Sequence, residues 1–325
     1  MKKGFGILIA VMMLITTVFS GCQSKKSASD KEISLFLSLS EADTFRQTLV
    51  EAAQKKAEEE GIRLEVSDAQ GSIENQVADI KAAAEAGYSV IFCGPVSVDT
   101  TTELKASAGD VPIIFFNSCP PQKQLKAEQY IYVGSDEEVA GQFQAEYVLD
   151  KLSDKDEINV VILKGPKSHS ATNGRTKGVK ETFAASGKKI NYVFEDHADW
   201  DAQKAQNLFE VFLKTGATAD CVICNNDTMA LGVIEACKNA HIDLSSLPVL
   251  GVDATADGCS AIENGDMAFT VYQSATGQGE ALIEAAVKFA KGESTEDIEG
   301  ITQDGKYVWV PFEKVDSSNV SDYQK

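Results

Sequence analysis

The sequence predicts an α/β protein built as two doubly wound parallel sheets, and three observations lead there. From Ile33 onward, short β-rich runs alternate with segments of helical length. The same alternation starts afresh after Val133. The 325 residues are also enough for two domains of ordinary size, each with its own buried core.

In chain order, the first unit opens with a β-rich run, Ile33 to Leu39. A helix from Phe45 to Glu60 stops at Gly61, and a strand follows from Ile62 to Val66. Ser72 to Ala86 reads as a helix closed by Gly87, and Val90 to Cys93 as a strand closed by Gly94 and Pro95. A short helix from Asp99 to Ala108 precedes strands at Val111–Asn117 and Tyr130–Val133. The second unit alternates a helix at Asp136–Leu152, a strand at Ile158–Leu163, a helix at Asn173–Ala185 and a strand at Lys189–Phe194. It continues with a helix at Asp201–Lys214, a strand at Cys221–Cys224, a helix at Thr228–Asn239 and a strand at Pro248–Val252. The last elements are a helix at Ala256–Asn264, a strand at Ala268–Tyr272, a long helix at Ala275–Lys291 and one strand at Tyr307–Phe312.

Thirty basic against forty-nine acidic residues leave a net charge of −19. Such a chain repels polyphosphate and anionic lipid headgroups, which argues against nucleic-acid binding and against a basic membrane face. The N-terminus stands apart. Lys2 and Lys3 precede an apolar run from Gly4 to Phe19, and Ser20 and Gly21 then lead to Cys22. That run suits a secretory signal, and small residues directly before a cysteine resemble a bacterial lipobox. Residues 1–21 are therefore read as a lipoprotein signal peptide, Cys22 as the lipidated residue, and 22–31 as a flexible tether.

In open parallel sheets, ligands bind beyond the carboxyl ends of the strands, where loops and helix N-termini converge. The first strand there delivers Asp43, Phe45 and Arg46, and Phe116 is followed by Asn117. Later strand ends deliver His169 and Arg175, then Trp200, Asn226, Asp253 and Gln273. Amides, carboxylates and guanidinium groups bind hydroxyls in pairs, and flat rings cover the C–H faces of a sugar. No glycine-rich phosphate loop, activated nucleophile or metal-ligand spacing occurs among them, so no cofactor, metal or catalysis is expected.

These residues, together with Val111–Asn117, Tyr132–Asp136, Asn225–Gly232, Pro248–Asp253 and Val310–Phe312, resemble the periplasmic binding proteins of the ribose/galactose type. The galactose/glucose-binding pattern is the nearest, and the resemblance spans Ile33 to Asn319. It implies two lobes joined by a three-strand hinge that close on a sugar. The first lobe is then 32–133 plus 275–303, and the second 134–274 plus 304–325. It also implies that Phe45 and Trp200 sandwich the ring, while Asp43, Asn117, His169, Arg175, Asn226 and Asp253 bind hydroxyls. Three positions depart from the galactose/glucose pattern: Ser118 replaces a lysine, Ala171 an aspartate and Gln273 an asparagine. Arg46 beside Phe45 suggests another hydroxyl pattern or an acidic sugar. Lys151 and Lys155 stand at two ligand positions of that pattern's calcium loop, so calcium is not expected.

Each polar or aromatic position has a plainer reading as well. Trp200 suits a core, His169 a solvated loop, and Asp227 the N-cap of the helix at Thr228. Cys221 and Cys224 on one strand point to opposite faces and read as small buried hydrophobes. Cys93 and Cys119 end strands that should be neighbours, an arrangement open to a disulfide. The expected function is a monomeric, lipid-anchored receptor on the outer face of the cytoplasmic membrane. It captures a monosaccharide, with a galactose/glucose-like hexose favoured, for an ABC importer permease; the alternative is a sugar sensor that presents its closed form to a chemoreceptor or sensor kinase.

Overall fold

Alternating apolar residues build the first sheet by feeding both of its faces. In β1 (Ser34–Leu39), Leu35 and Leu37 enter one buried cluster while Phe36 enters the other. The computed structural model describes residues 32–324, so the signal, Cys22 and the tether up to Lys31 lie outside the described residues. Residues 33–324 fall within one compact unit, Ile33–Lys325.

After β1 come α1 (Thr44–Glu59), β2 (Arg63–Asp68), α2 (Ile73–Ala86), β3 (Val90–Cys93), α3 (Thr101–Ala108), β4 (Ile113–Phe116) and β5 (Tyr130–Gly134). Strands β3 and β4 are buried throughout, as central strands covered by helices on both faces must be. The second unit runs α4 (Glu137–Lys151), β6 (Glu157–Lys164), α5 (Ser170–Ala185), β7 (Lys189–His197), α6 (Ala202–Lys214) and β8 (Cys221–Cys224). It continues through α7 (Asp227–Asn239), β9 (Val249–Leu250), α8 (Ala256–Glu263) and β10 (Thr270–Gln273). The chain ends with α9 (Ala275–Lys291), β11 (Tyr307–Trp309) and β12 (Phe312–Val315).

The first sheet has the order β11-β5-β4-β3-β1-β2 with every pair parallel. The second has the order β7-β6-β8-β9, also parallel. An antiparallel β10–β12 pair adjoins it through the bridges Leu250–Phe269 and Asp253–Tyr272. The chain passes between the sheets three times: from β5 to α4, from β10 to α9, and from β11 to β12. Hydrogen bonds tie these passages together. Val310 N–H donates to Gly134 O at 2.8 Å, and Gln278 Nε2 donates to Ser135 Oγ at 3.1 Å.

The helix and strand alternation is as read from sequence, with local differences. The segment read as one strand, Tyr307–Phe312, is two, because Val310 and Pro311 carry the chain from one sheet to the other. Segment 304–325 therefore divides, with β11 at the edge of the first sheet and β12 beside the second. Helix α5 begins at Ser170 rather than Asn173, since His169 caps it. Cys221 packs on one face of the second sheet and Cys224 on the other. All six described cysteines are free, and the Cys119 thiol instead donates to Pro120 O at 3.4 Å. Among the described residues, no helix is long and apolar enough to cross a membrane.

Candidate functional site

Every site residue leaves a carboxyl strand end or the helix that follows it. Asp43 lies between β1 and α1, Asn117 after β4, His169 after β6 and Trp200 after β7. Asn226, Asp253 and Gln273 stand at the ends of β8, β9 and β10. All ten residues expected from the sequence line one cavity of about 390 Å³, open volume at its mouth included, together with Glu137 and Ala171.

Three of these side chains cap helices and line the cavity at once. Asp43 Oδ1 accepts from Arg46 N–H at 2.7 Å at the start of α1. Asn226 Oδ1 accepts from Met229 N–H at 3.0 Å at the start of α7, which leaves its amide NH₂ for a ligand. The N-cap of α7 is thus Asn226, not Asp227, which is the first helical residue and fully buried. His169 is a cap as well, half-buried rather than solvated: its Nδ1 accepts from Ala171 N–H at 3.2 Å. Burial, then the charges of Arg46 and Arg175, push its pKa down to about 3, so the ring is neutral. With Nδ1 accepting, the proton sits on Nε2, which makes His169 a hydrogen-bond donor there.

Two arginines organise the walls. Arg46 Nε donates to Asn117 Oδ1 at 3.0 Å, and its Nη1 lies 3.0 Å from Asp43 Oδ2. Its charge is therefore already engaged, which removes the reason for expecting an acidic sugar. Arg175 is the hub of the second wall. Its Nε donates to Glu137 Oε2 at 2.7 Å, Nη1 to Asn225 O at 2.6 Å and Nη2 to Gln273 Oε1 at 3.1 Å. Nη1 also lies 3.6 Å from Asp253 Oδ1. Burial works against this guanidinium's charge, and Glu137 and Asp253 outweigh it, so its pKa rises. Burial likewise raises the carboxyls of Glu137 and Asp253, while Arg175 pulls both the other way.

The aromatic side chains complete the enclosure. Trp200 packs edge-on to His169, ring centres 5.4 Å apart, with the Arg175 guanidinium 5.9 Å from its ring centre. A Cβ on Gly165 would come within 2.3 Å of the Trp200 ring, so only glycine lets the indole lie there. Phe45 shares the cavity and packs its other side on the first lobe's core. Asn117, Trp200 and Asp253 all hold positive φ values, 59°, 65° and 117°. Such strain in non-glycine residues gathers where a surrounding structure fixes side chains for a task.

The sequence reading missed Glu137. Its place in the first turn of α4 suits a carboxylate complementing the helix dipole, and nothing local reveals that Arg175 folds against it.

Comparison with known proteins bears on the family and the fold. A protein-family model described as "Periplasmic binding protein domain" matches residues 33–294. A protein of Rhizobium meliloti described as rhizopine-binding is 32% identical over 268 residues, covering 82% of this chain and 83% of that one. A D-galactose/methyl-galactoside binding periplasmic protein of Haemophilus influenzae is 31% identical, covering 96% of this chain and 98% of its own. Among solved structures, an ABC transporter solute binding protein from Bacillus halodurans with bound myo-inositol superposes with a TM-score of 0.79. It is 28% identical, over 92% of this chain and 99% of that one.

Proposed function

Since the chain belongs to the periplasmic binding protein family, we propose that it captures a neutral six-membered-ring polyol, a hexose or a cyclitol, between its two lobes for an ABC importer. The observation that carries this reading is one cavity to which both lobes contribute. Asp43, Phe45, Arg46 and Asn117 come from the first, and Arg175, Trp200, Asn226, Asp253 and Gln273 from the second. Hydroxyls donate to Asp43 and Asp253 and accept from Asn226 and from His169 Nε2. Relatives whose names or bound ligands include D-galactose and myo-inositol support the ring size. A galactose/glucose-like hexose is the first candidate, although Ala171 on the cavity wall takes away the carboxylate that pattern supplies.

Neither wall alone makes the full set of contacts, so ligand favours the closed lobes by its differential affinity for them. Hydrogen bonds to charged groups contribute about 1.5–3 kcal/mol each, so a handful reaches the roughly −8 kcal/mol of a micromolar complex after ordering costs. Relatives named as binding proteins support capture of the ligand rather than chemistry on it. The mature chain works outside the cytoplasm, held at the membrane through lipidated Cys22.

Calorimetry of the mature chain with D-galactose, D-glucose, D-ribose and myo-inositol tests the reading. Micromolar binding of a six-membered ring is expected. Asp253→Ala and Trp200→Ala should each weaken it about a hundredfold, the loss of one or two charge-assisted bonds or one ring wall. Wild-type affinity in both variants, or no binding of any of the four, overturns it.

A further inference from the structure

Asp227 is fully buried, does not line the cavity, and has no part in the binding described above. We infer that Asp227 is a positioning residue: its carboxylate suspends the strained turn that aims Asp253 into the site. This rests on the polyol-binding reading only for the consequence to affinity, not for the tether itself.

The turn is Asp253 and Ala254, with φ of 117° and 51°. Both values lie where side chains with a Cβ are strained, and alanine has no polar group with which to stabilise itself there. Something outside the turn must hold it. Asp227 Oδ2 accepts from Thr255 N–H at 2.8 Å and from Thr255 Oγ1 at 3.2 Å. Its Oδ1 accepts from Thr270 Oγ1 at 2.6 Å, and that same hydroxyl accepts from Ala254 N–H at 3.3 Å. The two backbone amides that follow Asp253 therefore both hang from one carboxylate, one directly and one through Thr270. From the other side, Asp227 N–H donates to Val252 O at 2.8 Å, so the residue grips the chain both before and after Asp253.

The surroundings are shaped to this group. A Cβ on Gly251 would lie 2.1 Å from Asp227 Oδ1, and one on Gly258 would lie 2.3 Å from Oδ2. Three donors converge on two oxygens, which only an acceptor-only side chain satisfies. An asparagine must turn its NH₂ toward either Thr270 or the Thr255 amide. An acid serving only to complement the α7 dipole needs neither burial nor this fan of donors from Thr255, the cap of α8, and Thr270 in β10.

The test compares wild type, Asp227→Asn, Thr270→Val and the double variant Asp227→Asn with Ala254→Gly. Measurements run at pH 8, above the value of about 6 to which burial pushes this carboxyl. Two readouts are taken on protein shown folded by circular dichroism and melting: Kd for D-galactose and myo-inositol, and amide hydrogen exchange at Ala254 and Thr255 in the ligand-free protein. D227N should weaken binding about 20-fold and speed exchange at both amides more than tenfold, and T270V should weaken binding about fivefold. Glycine at 254 takes positive φ without a tether, so the double variant should regain part of the lost affinity, which a merely structural role does not explain. Unchanged exchange at both amides in folded D227N and T270V overturns the tether; faster exchange at these amides with wild-type Kd overturns the positioning role. If D227N does not fold, T270V decides both. If wild type binds neither probe, the polyol reading falls while the exchange data still judge the tether.

Discussion

The two arginines of the cleft are built differently. Arg46, from the first lobe, is 7% exposed at its side chain, but its partners Asp43 and Glu41 are 46% and 61% exposed. Arg175, from the second lobe, is 4% exposed and is held by Glu137 at 7% and Asp253 at 14%. The first wall is a partly wet set of contacts around a helix start. The second is a dry network joining α4, α5, β8, β9 and β10. A buried charge is costly once its partner is removed, because no water replaces it, whereas an exposed carboxylate is resolvated at once. Breaking the second lobe's network should therefore cost the fold more than losing the first lobe's arginine.

Substitutions should separate the two walls. The largest effect belongs to Arg175→Ala, expected to cost about 3–5 kcal/mol of folding stability in denaturant melts and to abolish ligand binding, because Glu137 is left buried and unpaired. Arg46→Ala should lose only about 1 kcal/mol of stability while still weakening ligand binding severalfold by calorimetry. Equal destabilisation by the two variants would erase the contrast. A smaller effect tests how the walls meet: Cys119 N–H, from the first lobe, donates to Ser170 Oγ at 2.7 Å in the second. This bond exists only with the lobes together, so Ser170→Ala should lower apparent affinity about two- to tenfold at unchanged melting temperature, the effect of one hydrogen bond on the closed population. The smallest effect is spectroscopic. With its pKa pushed down to about 3, the His169 ring signal should stay fixed in NMR from pH 8 to pH 5. A shift through that range would mean that the ring charges and that its place between two arginines is wetter than described.

Much of the site was legible because of where chains turn. A parallel sheet sends the residue after each strand to the same edge, so Asn117, Trp200, Asn226 and Asp253 could be named from strand ends alone. Asp43 was legible as a strand-end carboxylate, and the structure makes it the cap of α1 as well. His169 and Asp227 were harder because cap and first-turn positions differ by a single residue, and local sequence offers several suitable caps in a row. The break at Val310–Pro311 was hidden because strands on either side of a crossover carry the same β-rich composition.

Composition and periodicity by themselves determined the strand–helix alternation, the two-unit organisation and the polar, aromatic character of the strand ends, since each depends on neighbours a few residues apart. Only the tertiary structure decided that Glu137 would meet Arg175 across 38 residues, that Gln273 would meet it across 98, and that Asp227 would hold a turn supported by Thr270. Those pairings follow from which strands adjoin and where helices pack in three dimensions, and a linear pattern of residue types carries no record of that distance.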